Sequence, residues 1–484
     1  MKRLVTLLFA TALVLGFQAP SQAVDVKVSG SWEIGMGWAD NIGFSDAKQG
    51  GGHSDMFSAA QRVRPQFDFI ADDTLRAVLA LETYFTWGNR EEGGQLDADQ
   101  ATFVVRRAYL DWSPADKLNI RMGMQGVALP SAAFGNPVLD TDVAGIVASY
   151  KFTDNVALTA FWLRPFDRSY YGADQQDGQN VADDMDMFGL SLPITGQGFS
   201  VTPWAMYARN GNASDYWGYR ADYNGNAVMT DMIDANQIKG SSNMWWVGAA
   251  IELDMLEPIS FKLDAMYGRS TSSGDRDMAP EYSGFLLAGL IEYKSEAWWG
   301  NPGLIAWYGS GDDSDDYKDG EFGRMPIVSA DNAGFAPAGY GFSGSMGCMQ
   351  DGLISQSGVG LWGLGLQLDG ISLIDKLSHT LRVVYVRGTN DEDMIKKTRN
   401  GIEARGYSSR LGSYLAGMGE GVYMTKEDQA WEFDFVSTYE VNENLTIYLE
   451  TNYIVMDLDS GVWGNRNSDT TNAWKAQLLF EYTF

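Results

Sequence analysis

The chain ends, from Trp474 to Phe484, with WKAQLLFEYTF, and this stretch decides the fold. Its apolar residues fall on every second position, with Leu479 as the exception, and polar residues stand between them. A period of two puts successive side chains on opposite faces of a β-strand. At ~3.3 Å per residue and a tilt near ~40°, the strand rises about 25 Å, the height of the apolar band that membrane-spanning strands cross. We therefore expect the apolar face to touch lipid, and the strand to close a barrel by pairing with VDVKVSGSW at 24–32.

The same period recurs along the chain. In segments 63–71 and 75–87 charged residues stand opposite the apolar ones, which predicts that the second face is solvated. Eighteen such segments are predicted, with sixteen as the alternative. They cover 24–38, 63–71, 75–87, 102–112, 118–126, 143–152, 156–165, 184–194, 199–209, 243–254, 259–269, 283–294, 303–310, 358–368, 378–388, 428–440, 444–457 and 472–484.

The connections between these segments alternate in length. Along the chain, short turns such as ADDT and EVNEN alternate with long polar segments such as 209–242 and 310–357. Outer-membrane barrels have short periplasmic turns and long extracellular loops, with aromatic residues at both interfaces. Aromatic residues fall near the predicted strand ends here as well, for example at Trp38, Trp112 and Trp162. The sequence predicts an all-β protein, a transmembrane antiparallel up-and-down β-barrel in the outer membrane.

The N-terminal residues have the composition of a secretory signal peptide. MKR is followed by an apolar run and then by APSQA, so residues 1–23 are predicted to be removed by cleavage after Ala23. Residues 24–484 then form a single barrel domain. Beyond the signal, no stretch approaches the ~18 consecutive apolar residues of a membrane-spanning helix. The one cysteine, Cys348, excludes an intrachain disulfide.

Charge and histidine content exclude several function classes. The chain carries 63 acidic and 35 basic residues, a net charge of −28, so nucleic acid is not an expected partner. There are two histidines, His53 and His379, and the sequence pattern identifies no serine or cysteine in phase with either of them on a shared face. We expect no enzyme activity and no required cofactor.

The signal peptide, the two-residue period, the arginines of VRRAYLDW and the final aromatic resemble the trimeric porins of Gram-negative outer membranes. The resemblance is closest to the homotrimeric porins of sulfate-reducing bacteria. It implies a homotrimer of water-filled barrels that passes small hydrophilic solutes and ions passively. It also implies that the barrel assembly machinery reads the C-terminal aromatic residues, here Phe480, Tyr482 and Phe484.

In porins of this kind the third long loop folds into the barrel and carries acidic residues that face wall arginines. The matching loop here is 126–142, GVALPSAAFGNPVLDTD, which is low in charge until Asp140 and Asp142. It is the candidate constriction loop.

Phasing from the lipid face predicts a set of pore-lining residues. Arginines facing water in a pore stay charged and set the local field. The alternative is that they pair with Asp68, Glu82 and Asp111 on adjacent strands as part of the wall; both can hold. Arg107 is assigned to the lumen from the phase of its strand, and a bulge in that strand would place Arg106 there instead. The predicted set is Arg62, Arg64, Arg76, Arg107, Arg121, Glu82, Asp140 and Asp142.

The segment 311–323, GDDSDDYKDGEFG, concentrates six acidic residues without EF-hand spacing. It suggests a Ca²⁺ site, and the alternative is a solvated loop that attracts cations and bridges to lipopolysaccharide through divalent ions. The candidate ligands are Asp312, Asp313, Asp315, Asp316, Asp319 and Glu321.

The function expected from these features is a general porin with a weak cation preference. The first alternative is a substrate-specific channel for a sugar or another small nutrient, in which lumen aromatics stack on the solute. Four aromatics lie out of the lipid phase: Tyr84, Tyr109, Trp246 and Tyr448. The second alternative is a secreted β-sheet adhesin that does not enter a membrane.

Overall fold

The computed structural model describes residues 24–40, 55–97, 101–167, 184–211, 241–273, 281–295, 299–316, 321–330, 357–397, 423–463 and 472–484. The predicted signal peptide, His53 and Cys348 lie outside the described residues. No helix in the described residues is long and apolar enough to cross a membrane.

Within the described residues, eighteen long strands form one sheet, and the eighth has two segments separated by Leu192 and Pro193. The strands are β1 Asp25–Asp40, β2 Asp55–Asp72, β3 Leu75–Thr86, β4 Val104–Ala115, β5 Leu118–Ala128, β6 Leu139–Thr153, β7 Val156–Asp167, β8 Asp184–Ser191 with Ile194–Gly196, β9 Phe199–Asn210, β10 Ser241–Leu256, β11 Ile259–Ser273, β12 Glu281–Tyr293, β13 Asn301–Gly309, β14 Leu361–Ile374, β15 Leu377–Gly388, β16 Gln429–Glu440, β17 Leu445–Asp457 and β18 Ala473–Thr483.

Each strand pairs antiparallel with the next, and β18 pairs with β1, so the sheet is a closed barrel. This confirms the predicted antiparallel barrel and selects eighteen strands over sixteen. The register at the closure differs from the prediction. β18 pairs with Ser31–Asp40, and Phe484 exchanges two backbone hydrogen bonds with Gly30, so residues 25–29 pair with β2 alone.

The outer surface of the barrel is apolar. In β18, Trp474 and Tyr482 are 40% and 46% exposed, while Lys475 and Gln477 between them are 1% and 0% exposed. The same alternation leaves Trp32 and Trp38 of β1 exposed on the outside. Exposed apolar side chains also lie on the outside of other strands, for example Tyr207 on β9, Phe285 on β12 and Leu366 on β14. In water, an apolar area of this extent would drive aggregation. This exterior and the closed barrel confirm the predicted location in the outer membrane.

The inner surface is not solvated throughout. From β6 onward a large cluster of buried apolar residues occupies much of the interior, and it includes inward side chains such as Leu163, Met187 and Trp246. Loop residues such as Met325 and Val328 belong to the same cluster. The expectation of a wet inner face is therefore wrong for this part of the wall, because loop segments fold back and bury it.

Large inward rings in this region lie against glycines of the neighbouring strand. A Cβ on each glycine would stand only 2.0 to 2.5 Å from an atom of the ring, so any residue other than glycine at that position would clash with the ring. We call these contacts the ring-over-glycine pairs. The ring shields the glycine backbone, and each pair fixes the local register. The pairs, each directly opposite in the ladder, are Phe161 with Gly189, Trp204 with Gly248, Trp246 with Gly268, and Trp307 with Gly363.

Candidate functional site

Charged side chains line the inner wall from β1 to β5, where Val127 is the one described strand residue that packs against the apolar cluster. We call this set the charged track. Strand alternation places its members inside, because their neighbours Trp32, Phe69 and Trp112 are exposed on the outside. The track contains four arginines and four carboxylates: Arg62, Arg64, Arg76, Arg121, Glu33, Asp68, Glu82 and Asp111.

The turn-side end of the track centres on Asp111. Its Oδ2 accepts hydrogen bonds from Arg76 Nη2 and Arg121 Nη2, each at 2.9 Å, and its Oδ1 accepts one from Asn119 Nδ2 at 3.0 Å. Arg76 also lies 3.5 Å from Asp68. The Arg76 side chain is 41% exposed and that of Arg121 is 33% exposed, so both guanidinium groups meet water while bound to a buried carboxylate.

Two further ion pairs continue the track toward the loops. Arg62 donates to Glu33 Oε2 from Nε at 3.0 Å and from Nη2 at 2.6 Å. Arg64 pairs with Glu82 on the adjacent strand β3. The arginines therefore bind wall carboxylates, as the wall-pairing alternative expected, and 17% and 27% of their side-chain surfaces stay exposed. Opposite charges stand side by side along the wall.

Asp142 lies at a different place from the one expected. Its carboxylate binds Arg106 and Arg107 together, through their Nε atoms. A bulge between β3 and β4 brings the two arginines to one carboxylate, so the choice between them does not arise. Asp140 pairs through its backbone with Ala330. Asp142 therefore meets Arg107, one of the predicted pore-lining arginines, and the pair lies within one part of the wall instead of facing across the lumen.

The candidate constriction loop folds inward, and it is shorter than predicted. Residues 126–128 belong to β5 and 139–142 to β6, which leaves 129–138 as the loop. Leu129 and Val138 are buried in the interior cluster. Asn136 closes the loop on itself, since its Nδ2 donates to Pro130 O at 2.9 Å and its Oδ1 accepts from Val138 N at 3.0 Å.

The tip of this loop contacts the wall at β11, five strands away from β6. Asp264 is 1% exposed and accepts hydrogen bonds from Ser131 Oγ, Ala132 N and Ala133 N at 2.7 to 2.8 Å. The loop therefore reaches across part of the interior and ends on a buried carboxylate.

A second segment, 321–330, crosses the interior, and the sequence reasoning missed it. Glu321–Phe322 pairs in parallel with the start of β12, and Ser329–Ala330 pairs in parallel with the start of β6, six strands away. Between these ends, Pro326 O accepts a hydrogen bond from the inward Trp246 Nε1 at 2.7 Å. Val328 N donates to Val138 O, so this crossing segment is joined to the 129–138 loop. The apolar run MPIV at 325–328, which follows the acidic loop, is the signal that could have identified it.

A buried ion pair fixes one end of the crossing segment. Arg324 Nε donates to Asp312 Oδ2 at 2.8 Å, and the side chains are 8% and 0% exposed. Tyr423 OH, from the loop between β15 and β16, donates to the same oxygen at 3.0 Å, and Arg324 lies over its ring. Burial, with Asp312 nearby, raises the pKa of Tyr423 well above its ordinary value, so the phenol stays protonated.

The acidic loop is not arranged as a metal site in its described residues. Asp312 is committed to Arg324, and Asp316 Oδ2 accepts from the backbone N–H groups of Asp313 and Gly323. Burial, with Asp312 and Asp313 close by, raises the pKa of Asp316 to about 6. Across the described part of the chain, no group of three histidine, cysteine or acidic residues is placed to hold a metal ion. Asp319 lies outside the described residues.

The four aromatics proposed to stack on a sugar have other contacts. Trp246 points inward, as its phase predicted, but it is fully buried and its Nε1 binds Pro326 of the crossing segment, so it cannot stack on a solute. Tyr109 lies under Arg121, 4.5 Å from guanidinium carbon to ring centre. Tyr448 donates to Glu481 at 3.0 Å, and Tyr84 OH lies 3.2 Å from Thr86 Oγ1. These rings pack in the wall or order its charged groups.

No protein-family model matches the sequence, and no curated protein does. Solved structures do match across nearly the whole chain. They include OccK5 (OpdH) of Pseudomonas aeruginosa, with a TM-score of 0.51, 16% identity, and 95% of this chain and 98% of that one covered. OccAB3 of Acinetobacter baumannii gives 0.54, 10%, 95% and 99%, and P. aeruginosa OccK2 (OpdF), solved in complex with glucuronate, gives 0.51, 11%, 95% and 98%. At these identities the likeness shows a shared barrel fold.

Proposed function

We propose that this chain forms an outer-membrane channel for the passive diffusion of small, charged, hydrophilic solutes. The observation that carries the proposal is the charged track, which supplies partly exposed guanidinium and carboxylate groups along the inner wall while apolar packing fills much of the remaining interior. The fold shared with the outer-membrane channels OccK5 and OccAB3 agrees with this proposal.

The track suits solutes that carry charge. Alternating guanidinium and carboxylate groups replace part of the solute's hydration shell with direct or water-mediated hydrogen bonds. Each arginine already has a carboxylate partner, so an arriving anion binds weakly and leaves readily, as conduction requires. With four charges of each sign, the track itself carries no net charge. We propose that the excess of acidic residues in the whole chain, a net charge of −28, gives the weak cation preference.

A substrate-specific channel is the second candidate. The observation that favours it is the narrowing of the interior by two crossing segments, which directs a solute along one charged wall. OccK2 was solved in complex with glucuronate. A sugar acid is therefore a suitable test solute for this chain.

The partners expected from the sequence also stay proposals: a homotrimer, lipopolysaccharide, and the assembly machinery that recognises the C-terminal aromatics. A detergent gel run with and without boiling tests the trimer. A heat-sensitive, slowly migrating band supports it, and one monomeric band under both conditions contradicts it.

Single-channel recording in planar bilayers tests the function. We expect ohmic steps, and a reversal potential in asymmetric salt displaced slightly toward the cation value. Saturable block by glucuronate, without block by uncharged glucose, would favour the specific channel over the general porin. Correctly inserted, folded protein that gives no conductance steps would overturn both candidates.

A further inference from the structure

Asp264 is a buried carboxylate in the middle of a membrane-spanning strand, on the inner face of β11. Three donors from the 129–138 loop converge on it, two at Oδ2 and one at Oδ1. Hydrogen bonds from backbone N–H groups to an ionised carboxylate are among the stronger ones in proteins. Leaving such a carboxylate buried without its donors carries a large desolvation penalty.

The wall beside Asp264 is shaped to receive the loop. Its two neighbours in the ladder are Ala250 on β10 and Ala288 on β12, both buried. Small side chains on both sides leave space in which the turn at 131–133 can approach the carboxylate. Larger inward residues, such as Met266 and Leu290, stand farther along the same strands.

The loop is built to present its tip. Gly135 adopts a φ of 95°, and its N–H donates to Ser131 Oγ at 2.9 Å, while Ser131 Oγ itself donates to Asp264. Leu129 N donates to Leu139 O at the base of the loop. The loop is thus preorganised internally, and Asp264 is the wall group that determines where its tip rests.

We propose that Asp264 is a positioning residue that fixes the 129–138 loop across the barrel interior and thereby sets the size limit for solutes. The inference rests on the proposed channel function. Neutralising the carboxylate would present an amide N–H₂ to one or more of the three donors, so the loop would leave the wall and the passage would widen. The barrel strands, held by their own ladders, would remain.

The test compares the wild type with Asp264→Asn and Ser131→Ala. Asp254→Asn is the matched control, because the substitution removes the same charge from the adjacent strand. The Asp254 carboxylate binds Lys294 and not the loop. We expect Asp264→Asn to increase single-channel conductance and to admit larger neutral oligosaccharides in liposome swelling. Ser131→Ala should act in the same direction by a smaller amount, and the double variant should be less than additive.

Hydrogen exchange supplies a readout that does not depend on conduction. The peptide covering 129–138 should exchange about ten- to a hundredfold faster in Asp264→Asn, since charge-assisted hydrogen bonds protect Ala132 and Ala133. The peptide should be unchanged in Asp254→Asn. A non-conducting wild type would overturn the channel function, whereas a conducting wild type with unchanged size limit and exchange in Asp264→Asn would overturn the role of Asp264. Wild-type-like gel mobility of the variant separates both results from misfolding.

Discussion

Arg324 and Asp312 form a salt bridge of 2.8 Å from which solvent is excluded, with the two side chains 8% and 0% exposed. The pair joins the acidic loop to the segment that crosses the barrel interior. An acidic residue that the sequence suggested as a calcium ligand thus has a protein cation as its partner.

Replacing Arg324 by methionine should release the crossing segment. The substitution leaves a buried carboxylate without its counter-ion, and breaking a buried pair in this way costs about 3–5 kcal/mol. Limited proteolysis of the 311–330 region should become faster. Lys396→Met is the control, because its pair with Glu392 is 39% and 32% exposed and such pairs contribute about 0–1 kcal/mol. Equal protease resistance of both variants would contradict the prediction.

Asp111→Asn should shift the channel toward anions. The substitution keeps the side-chain volume and leaves Arg76 and Arg121 without the carboxylate they share, so the track gains net positive charge. Reversal potential in asymmetric salt measures the shift. Asp116→Asn, at an exposed turn, changes the total charge equally and should leave selectivity near wild type. A shift of the same size in both variants would show that total charge, and not the track, sets selectivity.

Gly248→Ala should impair folding of the barrel. The new Cβ would lie 2.5 Å from Trp204 Cζ2, and overpacking of this kind costs about 1–3 kcal/mol. The yield of folded, heat-modifiable protein measures the effect. Gly289→Ala provides the control in the same sheet, because the nearest atom to its Cβ is Lys262 O at 3.3 Å. Normal folding of Gly248→Ala would contradict the proposed role of the ring-over-glycine pairs.

Removing Phe484 should reduce insertion into the membrane more than it alters the channels that do form. Its backbone closes the last pair of the barrel seam with Gly30, and its ring stacks near Tyr482 on the outer surface. The amount of protein in outer-membrane fractions, compared with single-channel conductance, separates the two effects. Phe484→Tyr keeps an aromatic ring and should insert normally. Full insertion of the truncated chain would contradict the prediction.

The acidic loop should hold its conformation more firmly at pH 5 than at pH 7.5. The pKa of Asp316 is raised from 3.8 to about 6 in the folded chain, so its protonated form is favoured by folding. The stabilisation is complete below pH ~4 and is lost as the pH rises through ~6. Hydrogen exchange of the 311–316 region should therefore speed up between pH 5 and 7.5, after correction for intrinsic rates. Asp316→Asn should abolish this pH dependence, and its persistence would identify another titrating group.

The barrel could be predicted because its signals are local. Each of the eighteen predicted segments overlaps one observed strand. The period of two can be read from consecutive residues, and the loop lengths follow from the spacing between consecutive segments. The register at the seam could not be predicted. A slip of two residues along 24–40 keeps every side chain on the same face, so the hydrophobic pattern does not distinguish Ser31–Asp40 from the segment 24–32.

The interior was harder to predict for a related reason. Phasing identified the arginines of the track and the carboxylates Asp68, Glu82 and Asp111 beside them, since these lie on adjacent strands. The contact between Ser131 and Asp264 joins residues 133 positions apart, and no local pattern encodes it. Asp142 illustrates the same limit, because a bulge in β4 changed which arginines reach it.

The ring-over-glycine pairs also place a joint constraint on the descent of this sequence. Trp204 occupies the volume that a side chain at position 248 would need, so neither residue can change freely while the other is kept. Among divergent chains with this barrel, the two positions should therefore mutate together. A large ring opposite glycine would be exchanged for a small residue opposite a branched one. Coupled substitutions of this kind at paired strand positions would therefore guide the alignment of such chains where their overall sequence identity is too low.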